Sequence, residues 1–291
     1  ILYDRQALLL IEIDGQTQHR TDEAALSLMG CHKALRRKHV LTAFINIDEL
    51  KSGKANGYEV LYLPYCYSMD DGVVEALKEF VRNGGTLWAD GLVGWKNEYG
   101  DIRPSLPGGL SEVFGLETYV ADVDPVEEAY SVTEAAEKGG ELWKIPLQLH
   151  GAQVVIRDRE GRPFATEHAY GKGRAIYYGA AVSLAYFRRD NPQVLEWIVS
   201  PALKASSSSL VQLVRASGQV GFRSLHHSSG PLAILTNWDQ DSEIQVRFGG
   251  QYETITDLVS NSQVKVTRRG QYTYTELTLR AGNACVVKAN Q

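Results

Sequence analysis

Between residues 58 and 90 the chain runs YEVLYLP, then a helix-spaced stretch, then NGGTLWAD. Both apolar runs are too short for a helix and show no polar alternation, which suits strands covered on both faces. Between them Val73, Val74, Leu77, Phe80 and Val81 recur at the i, i+1, i+4, i+7, i+8 spacing of a one-sided helix. Ser68 is the expected N-cap, Asp70 and Asp71 load the first turn, Lys78 and Arg82 the last, and Gly84 is the stop. A crossover of that length brings the chain back in the same direction, so the two strands are expected side by side and parallel.

The same order precedes this unit. Residues 7–13 (ALLLIEI) read as a strand, residues 21–38 as a helix with Ala25, Leu28, Met29, His32 and Leu35 on one face, and residues 40–45 as a second strand. Alternating strand and helix predicts an α/β fold with a doubly wound, mostly parallel sheet. From 100 to 150 the pattern weakens to loop, a short helix at 110–114 and an acidic stretch. It sharpens again into strands at 153–156, 164–170 and 174–179, the last two joined by the tight turn Gly171-Lys172-Gly173, with helices near 183–190 and 192–203.

At residues 206–209 four consecutive serines can bury nothing and are read as a linker. Beyond them the period becomes two. Short strands at 210–214, 220–225, 232–236, 243–248, 252–256, 263–267, 272–279 and 284–288 are separated by Gly, Asn, Asp and Ser, the pattern of a small antiparallel β-sandwich. Two domains are therefore expected, 1–205 and 210–291.

The composition narrows the function. A formal net charge of -5 spread over 291 residues offers no basic face for a phosphate backbone, so nucleic acid is not an expected partner. Apolar runs fall short of the roughly 20 residues that cross a bilayer, and no leader pattern opens the chain, so neither membrane span nor signal peptide is read. Cys31, Cys66 and Cys285 are isolated and odd in number, which fits a reducing, cytoplasmic setting and neither a disulfide framework nor a zinc site. The chain opens on Ile1 with methionines only at 29 and 69, which reads as a processed chain or a piece of a longer one.

The loop after the 86–89 strand is where ligands and nucleophiles sit in open α/β sheets. Here it reads Ala89-Asp90-Gly91, without Ser, Cys or His. Cys66 follows the preceding strand, yet Pro64 and Tyr65 stand where the glycines of a nucleophile elbow would be; a buried thiol is the simpler reading, an amidase or peptidase nucleophile the bolder one. The glycines of GGTLWADG precede their strand, so they do not form a dinucleotide-binding turn, and Gly171-Lys172-Gly173-Arg174 is half of a phosphate loop at most. The seven histidines show no metal-ligand spacing. No metal, cofactor or particular carboxylate pair is singled out. Tyr62, Tyr65, Tyr67, Trp88 and Trp95 fall at or after adjacent strand ends, where they suit packing, a subunit contact or stacking on a sugar. With Asp90, the residues Tyr65, Tyr67, Trp88 and Trp95 are the ligand or interface candidates.

The run YEVLYLPYCYSMDDGVVEALKEFVRNGGTLWADGLVGWKNEYG, with LPGGLSEVFGLE and GKGRAIYYGA after it, resembles the middle domain of glycoside hydrolase family 42 β-galactosidases. LAILTNWDQDSEIQVRF, DLVS and LRAGNACVVKA resemble that family's small C-terminal β-domain. The resemblance implies a glutamine amidotransferase-like, flavodoxin-like fold that has lost its nucleophile and that mediates trimerisation, with Ala89-Asp90-Gly91 where the elbow cysteine would stand. It also implies that the catalytic (β/α)8 barrel, which meets the galactoside, lies outside this chain, so no catalytic residue carries over. A stand-alone carbohydrate-binding or regulatory protein on the same scaffold is the alternative expectation.

Overall fold

The computed structural model describes residues 1–5, 10, 22–205, 211–218, 220–227 and 229–290. They form two compact units, Ile1–Lys38 with Thr42–Ala202, and His39–Leu41 with Leu203–Gln291. The strand expected at 7–13 and the serine linker at 206–209 lie outside the described residues.

In the first unit β1 (Leu2–Tyr3) pairs in parallel with β2 (Ile45–Asn46), with α1 (Glu23–Arg37) between them in sequence and α2 (Ile47–Lys51) directly after. The strand expected at 40–45 is thus reduced to its last residue. His39 takes a left-handed backbone at φ 57°, and pairing begins only where the Ile45 N–H donates to the Ile1 carbonyl. The stretch 58–90 folds as its spacing requires, into β3 (Val60–Pro64), α3 (Asp71–Arg82) and β4 (Thr86–Asp90). Val73, Val74, Leu77, Phe80 and Val81 are all buried, each worth roughly 1.5–3 kcal/mol of apolar transfer as an upper bound. The cap is Asp70, whose Oδ1 accepts from the Val73 N–H at 2.8 Å, and Ser68 instead pairs with Lys96. Gly84, at φ 116°, ends the helix, and Gly85 follows where any Cβ would strike the Phe80 ring.

After β4 come short pieces: β5 (Ser105–Leu106), α4 (Ser111–Phe114), β6 (Thr118–Tyr119), β7 (Asp124–Pro125) and β8 (Trp143–Lys144). Then follow β9 (Gln153–Arg157), β10 (Pro163–Tyr170), β11 (Gly173–Tyr178), α5 (Val182–Arg189) and α6 (Pro192–Ala205). The main sheet has the order β3-β4-β11-β10-β9. Its β3–β4 and β4–β11 pairs are parallel, whereas β11–β10 and β10–β9 are antiparallel hairpin pairs. The unit is therefore a mixed α/β fold in which half of the main-sheet pairs depart from the mostly parallel expectation. The cause is local: the two-residue turn at Gly171-Lys172 cannot make a crossover.

α1 also departs from expectation. Its buried face is Ala24, Ser27, Gly30, Cys31, Ala34 and Leu35, while Ala25, Leu28, Met29 and His32 turn outward or are only half-covered. The apolar spacing marked one face, and close packing selected the face with the smallest side chains.

The second unit joins two antiparallel sheets over one apolar core. The strands are β12 (Val211–Ala216), β13 (Val220–His227), β14 (Gly230–Asn237), β15 (Ser242–Gly249), β16 (Thr254–Asp257), β17 (Ser262–Val264), β18 (Val266–Arg269), β19 (Tyr272–Leu279) and β20 (Ala284–Asn290). They pair in the orders β12-β15-β19-β18 and β13-β14-β20-β16-β17. Val211, Val246, Phe248 and Leu279 of one sheet share a core with Ala233, Leu235, Ile255 and Val287 of the other. The single strand expected at 263–267 breaks at Lys265, whose carbonyl accepts from Thr275 Oγ1, so β17 and β18 belong to different sheets. Among the described residues no helix is long and apolar enough to cross a membrane.

Candidate functional site

The carboxyl ends of β3, β4 and β11 lie side by side, with Asp90 paired to Pro64 on one flank and to Tyr178 on the other. Asp90 is fully buried. Its Oδ1 accepts from the Tyr65 N–H at 2.8 Å and its Oδ2 from the Ser183 N–H at 2.7 Å and from the Ser183 hydroxyl. Burial raises the Asp90 pKa to about 6, although the bonds from Ser183, Tyr65 and Val182 pull the other way. The carboxylate thus ties the loop after β3 and the start of α5 to the middle strand. Its oxygens are occupied by the protein's own donors.

Tyr65 is held at φ 49°, a left-handed backbone uncommon for a side chain of its size. Its ring passes so close to Gly91 that a Cβ there would lie 2.8 Å from it, and its hydroxyl accepts from Trp143 Nε1 at 3.1 Å. From Tyr65 the chain runs alongside the loop after β4. The Gly94 N–H donates to the Cys66 carbonyl, Lys96 N–H to the Tyr67 carbonyl, and Met69 N–H to the Lys96 carbonyl. Tyr67 meets Trp95 edge to face at 5.1 Å, Trp95 meets Trp143 at 5.9 Å, and the Lys96 ammonium lies over both Tyr67 and Trp95.

The structure thus separates the sequence candidates. Tyr65, Tyr67 and Trp95 come together, joined by Trp143 and Lys96. Trp88 and Tyr62 belong to a second, fully internal cluster: Trp88 Nε1 donates to the Trp197 carbonyl at 3.2 Å, Tyr62 Oη to the Ile198 carbonyl at 2.9 Å, and the Trp88 ring packs between those of Tyr62 and Tyr178. Trp143, Ser183 and the buried Glu141, which is paired with Arg188 and Arg189, were not singled out in the sequence. They lie in segments without periodicity or on helix ends, where no local signal marks them. Among the described residues no three His, Cys, Asp or Glu side chains cluster as metal ligands.

Cys66 is buried, its sulfur faces the Ser68 carbonyl at 3.9 Å, and burial pushes its thiol pKa far upward. The thiolate that a nucleophile needs is disfavoured there. In iodoacetamide at pH 7, Cys66 is expected to label no faster than the buried Cys31, as read by peptide mass mapping; rapid, selective labelling at position 66 would mark an activated thiol.

Residues 1–207 match the family described as the β-galactosidase trimerisation domain, and the chain belongs to that family. It is 27% identical over 222 residues to the β-galactosidase BgaB of a Geobacillus sp., covering 73% of this chain and 32% of that protein. It is 25% identical over 262 residues to the β-galactosidase LacZ of Heyndrickxia coagulans, covering 87% and 36%. Its fold matches the crystal structure of the β-galactosidase from Bacillus circulans sp. alkalophilus with a TM-score of 0.68 at 16% identity, over 91% of this chain and 37% of that one. The chain spans about a third of the length of these relatives.

Proposed function

We propose that this chain is the assembly portion of a β-galactosidase of glycoside hydrolase family 42. Its first unit holds copies of the enzyme together as a homotrimer, its β-sandwich follows as the C-terminal domain, and galactoside hydrolysis belongs to a catalytic barrel outside these residues. The match of residues 1–207 to the trimerisation-domain family carries this reading. The crest supports it: in this family-like arrangement, read as a doubly wound, glutamine amidotransferase-like and flavodoxin-like sheet, the nucleophile position is Asp90, sealed by Tyr65 and Ser183. Such a carboxylate fixes loops and does not attack a substrate. The division into domains 1–205 and 210–291, a cytoplasmic location, and the absence of any cofactor belong to the same reading.

Light scattering of the purified chain is expected to give three times its 32.2 kDa, with no turnover of a chromogenic β-galactoside. Turnover that survives repurification and is abolished by one Asp or Glu substitution would place chemistry in this chain and overturn the assignment.

A further inference from the structure

A ring of three identical copies is built from heterologous contacts, so each copy must present two unlike surfaces, one received and one receiving. The first unit has two such surfaces. One is a hairpin, residues 96–103, that projects from the carboxyl ends of the parallel strands. It is rigidly made: Asn97 Oδ1 accepts from the Tyr99 and Asp101 N–H groups at 3.0 and 2.9 Å, the Asn97 N–H donates to the Asp101 carbonyl, and the Arg103 N–H donates to the Trp95 carbonyl. Its base is clamped by Arg103, which donates to the Met69 carbonyl and to Asp71. At the turn Gly100 lies beside Leu10, whereas Tyr99, 81% exposed, and Ile102, 57% exposed and bridged to Lys96, face outward. An ordered loop with an exposed tyrosine and isoleucine is a pre-organised contact element, since the ordering cost of binding is already met.

The other surface is the outward face of α1. There Met29 is 54% exposed, and the His32 ring lies tilted against Phe44 at 5.2 Å, Phe44 itself being 49% exposed. Arg36, one turn beyond His32, gives this face an exposed positive end, while the hairpin carries Glu98 and Asp101. A knob of aromatic and aliphatic tips with acidic flanks meets an apolar face with a basic flank.

We propose that the hairpin of one copy seats Tyr99 and Ile102 on the Met29, His32 and Phe44 face of the next copy, and that this heterologous contact closes the ring. The inference rests on the self-assembly reading above and adds the two surfaces that carry it. The occupant of the α1 face is a second copy of this chain.

The test uses the whole chain in sedimentation velocity, with circular dichroism to verify folding. The unaltered chain sediments as a trimer, and Tyr99→Asp with Ile102→Asp, or Met29→Asp with Phe44→Ser, weakens assembly by about thirty-fold or more while leaving the spectrum unchanged. Oxidative cross-linking then identifies the pairing. A mixture of Tyr99→Cys and Met29→Cys chains forms covalent dimers, neither variant alone does so, and the double variant stops at a covalent trimer. An unaltered chain that is a monomer overturns the assembly reading and this contact with it. A trimer that persists in both surface variants, or Tyr99→Cys chains that cross-link to each other, overturns the contact while leaving the assembly reading in place.

Discussion

Asp90→Ala is expected to lower the stability of the first unit by about 4 kcal/mol at pH 7, while the β-sandwich melts as before. The substitution removes the acceptor for two buried backbone N–H groups, Tyr65 and Ser183, and for the Ser183 hydroxyl. Each buried donor left without a partner costs roughly 1–3 kcal/mol, and the hydroxyl can turn elsewhere while the two amides cannot. Tyr65 adds to the loss, because its left-handed backbone is held in part by that bond. Asp90→Asn is expected to fall between, since one oxygen remains but the amide NH2 faces a donor. Calorimetry separates the outcomes: an Asp90→Ala chain whose first-unit transition moves by less than about 1 °C would show that the carboxylate does not hold the crest.

The same group sets a pH dependence of defined sign. Its folded pKa of about 6 lies above the ordinary carboxylate value of 3.8, because burial outweighs its hydrogen bonds. Folding therefore binds a proton between those values. The stabilisation is complete below the unfolded pKa, declines as pH rises towards about 6, and is gone above it, a difference on the order of 3 kcal/mol. The stability advantage of the unaltered chain over Asp90→Asn is thus expected to grow as pH falls from 7 to 4.

What could be read in advance follows from how local each signal is. β3, α3 and β4 were legible because five apolar residues, an acidic start and a glycine stop all lie within one segment, and the sandwich strands were legible from their alternation. The hairpin character of β10 and β11 was also visible in the turn at 171–173. The face that α1 buries was not. Periodicity marks Ala25, Leu28, Met29, His32 and Leu35, but of these only Leu35 is buried, and the rest of the covered face is the small-residue row Ala24, Ser27, Gly30, Cys31 and Ala34. Distance in sequence hid the site as well. Asp90 could be picked out at a strand end, yet its partner Ser183 lies 93 residues away and the Tyr65 contact Trp143 lies 78 away, in a stretch with no regular period. Tyr62, Tyr65, Tyr67, Trp88 and Trp95 were named together, and the sequence could not divide them, because strand ends alone do not say which aromatic a later helix will cover.

The close approach of α1 and α5 leads to the second large effect, and here helix propensity points the wrong way. Gly30 sits in mid-helix, where alanine is ordinarily better by about 1 kcal/mol. A Cβ at Gly30, however, would lie 2.0 Å from the Ser183 carbonyl oxygen and 3.0 Å from the Phe187 Cβ. The first of these is backbone, and it cannot swing aside. Gly30→Ala must push the helices apart, loosening the seam that Lys33 and Arg37 close against Asp190. Overpacking of this kind costs 1–3 kcal/mol and occasionally more, and against so rigid a contact a net loss of about 3 kcal/mol is expected, or roughly 10 °C in the first unit's melting temperature. Gly72→Ala serves as the control, because its Cβ would meet only side-chain atoms of Lys51 and Asp70, and it is expected to be near neutral. Ser183 is the residue that Gly30 faces and that Asp90 holds, so the two substitutions act through one anchor. In a double-mutant cycle, Gly30→Ala should cost at least 1 kcal/mol less in an Asp90→Ala background, where α5 is already free to shift. Simple additivity would mean that the two contacts are independent and that Ser183 is not the point through which strand and helices are locked.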